Sequence, residues 1–126
     1  MTAPLLLDSH ALLWWEADDA RLGAAAREAI EQPAVPLFFS AASIWELAIK
    51  QAQKRLALPQ TLLATLSGEG FAELPISSAH ALLAGALPSH HRDPFDRIIV
   101  AQAQTQGLTV VTSDARIAAY DVPVLW

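Results

Sequence analysis

Four acidic residues stand at places where chemistry could gather. Asp8 directly follows the apolar run LLL, and Glu46 sits in SIWELAIK. Asp96 lies near the start of DPFDRIIVAQA, and Asp114 comes two residues after VVT. Carboxylates that meet from distant parts of a chain repel one another. Two unit charges about 4 Å apart cost roughly 4 kcal/mol at an effective dielectric near 20, so such a cluster must spread, take up protons or bind a cation. The chain has no cysteine, so the donors are hard oxygens. These suit Mg²⁺ or Mn²⁺, ions that keep several waters and leave room for phosphate oxygens. The chemistry expected of that centre is hydrolysis of a nucleic-acid phosphodiester by an oriented, acidified water.

Whether the four residues meet depends on the elements that carry them. Short apolar or β-branched runs read as strands: PLLL (4–7), VPLFF (35–39), FAEL (71–74), LTVVT (108–112) and VPVL (122–125). Helical stretches separate them. RLGAAAREAIEQ ends before Pro33, ASIWELAIKQAQKRL places Ile44, Leu47, Ala48 and Leu56 on one face, and PQTLLATL starts at Pro59. SAHALLAGAL follows Ser77, a helix from Pro94 to Gln106 stops at Gly107, and ARIAAY is short. Alternation of this kind predicts an α/β fold with a mainly parallel sheet covered by helices on both faces. Asp8 and Asp114 then end the first and fourth strands on one rim, and the helices bearing Glu46 and Asp96 begin at that rim. If strands one and four are neighbours where the strand order reverses, all four acids face one crevice.

Composition bounds the reading. At 126 residues the chain is expected to form a single domain, residues 1–126, able to bury its core without cross-links. Met1 to Leu7 is too short and uncharged for a signal peptide, and no apolar run approaches the roughly 18 residues of a membrane span. A cytoplasmic protein with no membrane association is therefore expected. The formal net charge of -5 argues against nucleic-acid binding through bulk positive charge, but leaves room for a local basic patch or bound cations.

Each candidate also has a structural role open to it. Asp93 before Pro94 reads as an N-cap with proline at the first helical position, and Asp96 at the third could satisfy a free backbone N–H and the helix dipole. Ser43 and Glu46 form an S-x-x-E capping box. Asp8 could cap SHALLWW, and Asp114 could cap ARIAAY. Ser9, Thr112 and Ser113 could orient the acids or merely finish turns. Arg92 and Arg97 could pair with neighbouring acids, or hold an RNA phosphate or a partner's carboxylate. His90 and His91 read as polar loop residues, with His10 and His80 still weaker candidates, and zinc ligation has no spacing to support it. Trp14, Trp15, Trp45 and Trp126 read as core or interface anchors rather than base-stacking platforms.

Taken together and in order, LLLDSHALLWW, SAASIWELAIK, HRDPFDRIIVAQA and LTVVTSDARIAAYDVPVLW resemble the motifs of PIN-domain proteins, in particular the VapC-type toxin ribonucleases of type II toxin-antitoxin systems. The resemblance covers nearly the whole chain. It implies a three-layer α/β/α fold with a five-stranded parallel sheet in the order 3-2-1-4-5. It also implies a catalytic and metal-binding site on Asp8, Glu46, Asp96 and Asp114, supported by Ser9, Thr112 and Asp93. Asp8 and Asp96 would be the most direct ligands, Glu46 would ligate or activate water, and Asp114 would act directly or through water. Mg²⁺ or Mn²⁺, a single-stranded or structured RNA substrate, a homodimer and a VapB-like antitoxin that blocks the site with a C-terminal segment follow from the same likeness. Ser9 stands where threonine is common in the family, a change that keeps the hydroxyl. With only Lys50 and Lys54 as lysines, the RNA-binding surface is poorly defined, and a dimer mate's arginines could supply it. Two other readings compete. One is a protein-interaction module without chemistry. The other is a small phosphoryl-transfer or receiver-like domain, disfavoured because no second aspartate lies two residues after Asp8 and no lysine ends a late strand.

Overall fold

The first strand, β1 (Leu5–Leu7), is buried at every position, as a strand covered on both faces must be. In the computed structural model, which describes residues 3–126, it pairs in parallel with β2 (Leu37–Ser40) on one side and β4 (Thr109–Val111) on the other. β3 (Phe71–Leu74) and β5 (Val124–Leu125) complete the sheet in the order β3-β2-β1-β4-β5. The chain builds outward from β1 to β3, then crosses back to lay β4 beside β1. The order therefore reverses between β1 and β4, where parallel sheets open a crevice at their carboxyl ends.

Successive strand residues point to opposite faces, so each face has its own core. Leu5 and Leu7 pack with residues of α1 (Ser9–Glu16), α2 (Ala24–Ile30), α3 (Ala41–Ala52) and α4 (Leu62–Gly68), among them Leu12, Ile30, Leu47 and Leu66. Leu6 packs on the other side with Ile99 and Val100 of α6 (Pro94–Gln106) and Ile117 of α7 (Ala115–Ala118), with Leu83 of α5 (Ser78–Ala86) against them. These are the three layers expected.

Some boundaries differ, for local reasons. Helix α3 begins at Ala41, not beyond it, because Ser40 ends β2 and its Oγ accepts the Ala42 N–H at 3.1 Å. Ser43 is thus inside the helix, and its buried Oγ has no hydrogen-bond partner among the described residues, so the Ser43–Glu46 capping box does not form. The same helix stops at Ala52, and Lys54 turns the chain at φ 59°; Ala48 is exposed and does not join Ile44, Leu47 and Leu56 at the core. Helix α4 starts at Leu62 instead of Pro59. Gly107, at φ 67°, ends α6 in the left-handed region that glycine tolerates.

Candidate active site

The strand-end acids both cap and converge. Asp8 Oδ1 accepts the Ala11 N–H at 2.8 Å and starts α1, and Asp114 Oδ1 accepts the Arg116 N–H at 2.8 Å and starts α7. Each anchors one oxygen in this way, and the Oδ2 of Asp114 is met by Arg116 Nη2 at 3.1 Å and by His91 Nε2 at 3.2 Å. Glu46, one and a half turns into α3, accepts the Ser9 hydroxyl at 2.5 Å on Oε1, while Lys50 Nζ lies 3.3 Å from Oε2. At the start of α6, Asp93 takes the free N–H groups of both Phe95 (2.8 Å) and Asp96 (3.2 Å). The capping role expected of Asp96 is therefore filled by Asp93, which leaves the Asp96 carboxylate facing the crevice. Asp8, Glu46, Asp93, Asp96 and Asp114 line one notch of about 140 Å³ at the carboxyl rim of the sheet.

Crowding shows in the protonation of these groups. Burial, followed by the charges of Asp93, Glu46, Asp8 and Asp114, pushes the Asp96 carboxyl up to about 7. Burial also raises Asp8, and outweighs the opposing hydrogen bonds from the Thr112 side chain and the Ala11 N–H. For Asp114 burial is again the largest single influence. Here, however, the hydrogen bonds from the Arg116 side chain and backbone combine with that guanidinium's charge to hold it below the usual carboxylate range. Thr112 Oγ1 accepts the Asp114 N–H at 3.0 Å, so this one hydroxyl ties the two strand-end acids together.

A histidine read from sequence as a polar loop residue belongs to the site. His91 is only 4 % exposed, and its Nε2 lies 2.8 Å from Asp96 Oδ2 and 3.2 Å from Asp114 Oδ2. Its Nδ1 accepts the Asp93 N–H at 3.2 Å, which leaves the ring hydrogen on Nε2, where it is shared between the two carboxylates. One atom each from His91, Asp96 and Asp114 falls within 4.8 Å of the others, a spacing that a metal ion could bridge. With Nδ1 engaged as an acceptor, though, Nε2 is a donor, so an ion held here would take the carboxylate oxygens. An all-oxygen, strongly anionic donor set fits a hard divalent cation.

The backbone around His91 is held as firmly. Its N–H donates to the Tyr120 hydroxyl at 2.9 Å, which donates to the Pro88 carbonyl at 2.7 Å. Arg97 donates to the carbonyls of Ala84, Leu87, Pro88 and His91 at 2.7 to 3.1 Å. That guanidinium is spent on holding the segment between α5 and α6, which corrects its reading as an RNA or partner contact; Arg92 on the same segment is exposed. The tryptophans divide. Trp15 packs against Phe71 and Trp14 against Trp126 beside the first core, whereas Trp45 is 61 % exposed and meets Phe95 edge to face at 5.0 Å.

Comparison with known proteins gives the family and the fold. The PIN domain family profile matches residues 5–123. Ribonuclease VapC22 of Mycobacterium tuberculosis is 39 % identical over 122 residues, covering 94 % of this chain and 93 % of that one. Two solved structures share the fold. VapBC from Salmonella typhimurium, bound to DNA, superposes with a TM-score of 0.69 at 22 % identity, covering 98 % of this chain and 97 % of that one. FitAcB from Neisseria gonorrhoeae gives 0.66 at 22 %, covering 97 % and 96 %.

Proposed function

This chain belongs to the PIN-domain family, and on that premise we propose that it is a metal-dependent endoribonuclease, the toxin of a VapBC-type toxin-antitoxin pair. The observation that carries the reading is the notch itself. Carboxylates from the ends of β1 and β4, the second turn of α3 and the first turn of α6 meet there at a cost that leaves Asp96 half-protonated near pH 7. Helix capping accounts for Asp8, Asp93 and Asp114 but not for Glu46 and Asp96 beside them, and a divalent cation would remove the penalty. This is why a non-catalytic interaction module accounts for the site less well.

Asp8, Glu46, Asp96 and Asp114 would hold Mg²⁺ or Mn²⁺, and the chemistry such an ion supplies is charge neutralisation at a phosphodiester and a lowered pKa for attacking water. The rest is the work of the chain. Asp8 and Asp114 are kept in place by their capping bonds, and Glu46 is aimed by Ser9 and Lys50. His91 holds Asp96 and Asp114 at a fixed separation by donating Nε2–H between them, and Thr112 joins Asp8 to the Asp114 backbone. Ion binding requires Asp96 to give up its proton. The residues 1–126 act as one domain.

The VapBC relative supports an antitoxin partner; to this we add, as our own assignment, that a VapB-like antitoxin covers the notch, that a second copy of this chain forms a homodimer, and that the exposed Arg92 contacts RNA or antitoxin. No helix among the described residues is long and apolar enough to cross a membrane, in keeping with action on RNA in the cytoplasm. Incubating the purified protein with RNA in Mn²⁺ or Mg²⁺, beside a chelator control and an Asp96→Asn variant, tests the proposal. Cleavage stopped by both is expected. Cleavage that survives both would overturn it.

A further inference from the structure

Beside the acidic notch stands an aromatic pair that the hydrolytic chemistry does not use. Trp45 immediately precedes Glu46 on α3, and Phe95 immediately precedes Asp96 on α6. Consecutive helical residues are rotated by about 100°, so each aromatic lies beside the notch where the following carboxylate points into it. The two rings meet at 5.0 Å with planes 79° apart, so both turn to the same side of the site. In an edge-to-face contact one ring uses only its edge, and Trp45, at 61 % exposure, keeps broad ring surface toward solvent. Trp45 has the second-highest exposure of the chain's exposed large apolar side chains, and it borders the site.

We propose that Trp45, braced by Phe95, is a stacking platform that positions an unpaired nucleobase next to the scissile phosphate. The proposal rests on the ribonuclease reading and adds a substrate-positioning residue to that same site. Charge favours a base over other occupants. The chain carries a net charge of -5, and the cations lining the notch are committed, Lys50 to Glu46 and Arg116 to Asp114. Little of the usual phosphate-based attraction is on offer beside the site. Beyond the bound ions and the exposed Arg92, affinity can come from an uncharged contact, and stacking on an exposed indole tolerates any base. A duplex cannot present a base face in this way without flipping it out.

The test uses the full chain, a short single-stranded RNA that it cleaves, the same strand in a duplex, and a set carrying one abasic position on either side of the mapped cut. Trp45→Ala is expected to raise KM about 5- to 150-fold with most of the change in KM rather than kcat, and Trp45→Phe to recover most of it. One abasic position should impose a similar penalty on the wild type and almost none on Trp45→Ala. Melting temperatures should stay together, because the side chain is mostly outside the core. Binding of the same strands in chelator, followed by indole quenching in wild type against Trp45→Phe, reads the platform independently of cleavage. Base-dependent quenching without any metal-dependent cleavage would support the platform and overturn the nuclease reading. An unchanged KM in Trp45→Ala, equal cleavage of abasic strands, or a variant that cleaves normally but escapes inhibition by the antitoxin would overturn the platform; the last would assign the ring to the protein partner.

Discussion

The two rims of the sheet are built on opposite terms. At the amino ends of β2 and β3 lies the larger cleft, about 440 Å³, walled by Trp15, Ile30, Val35 and Leu37, with Glu31 and Glu69 exposed at its edge. At the carboxyl ends lies a notch of about 140 Å³ with five carboxylates in its lining. Size points to the first and chemistry to the second. In the larger cleft the charged groups are free to face water, whereas in the notch they are partly buried against one another. The difference teaches that a site is better found by where the fold tolerates an electrostatic cost than by where it leaves space.

The sharpest way to break this contrast is to neutralise one carboxylate on each rim. Asp96→Asn should lower metal-dependent RNA cleavage by about 1000-fold, the scale of losing several kcal/mol of Lewis-acid stabilisation, while Glu69→Gln stays within about twofold in the same assay. Equal losses would put the chemistry elsewhere. His91 comes next. Replacing it with alanine should weaken Mn²⁺ binding by about 10- to 100-fold in calorimetry, as loss of an orienting partner does, and His91→Asn should recover part of it by restoring a donor.

Protonation sharpens the contrast further. Asp96 is raised from 3.8 to about 7 in the folded chain, so its neutral form is the one the fold prefers. Its contribution to stability is full below pH 3.8 and is lost as pH rises through about 7. In chelator, the urea midpoint should therefore fall between pH 5 and pH 8, and Asp96→Asn should fall less and be the more stable protein at pH 8. Saturating Mn²⁺ should cancel the fall in the wild type. Ion binding should also release about 0.9 proton at pH 6 and about 0.1 at pH 8, read from binding heats in buffers of different ionisation enthalpy. The smallest effect belongs to the scaffold behind His91: Tyr120→Phe removes the hydroxyl between its N–H and the Pro88 carbonyl and should cost about 1 to 3 kcal/mol in urea unfolding.

Most of the architecture could be read without coordinates because each signal was local. LLL and VVT alternate with helices of clear apolar periodicity, and Asp93-Pro94 marks a helix start by chemistry that neighbours alone decide. Asp8 and Asp114 fell between a capping and a site role, and in the structure each caps its helix while also lining the notch. What could not be read depends on contacts distant in sequence or on competition between equal signals. Ser43-x-x-Glu46 matches a capping box, yet Ser40 had already started the helix directly from the strand; the signal for that was the serine immediately following FF. His91 gains its place from Asp96, Asp114 and Tyr120, the last 29 residues away. Only its bond from the Asp93 N–H is local. Arg97 follows Asp96 in sequence but turns to carbonyls 6 to 13 residues earlier, a direction no spacing rule supplies.

The capping bonds of Asp8 and Asp114 carry one last consequence. Because backbone N–H groups grip one oxygen of each, these carboxylates are held by the helices themselves and stay aimed when the notch contains only water. A cation arriving there would meet two carboxylates already in place, so once Asp96 has lost its proton the exchange rate should follow the shedding of the ion's own hydration shell, slow for Mg²⁺ and faster for Mn²⁺.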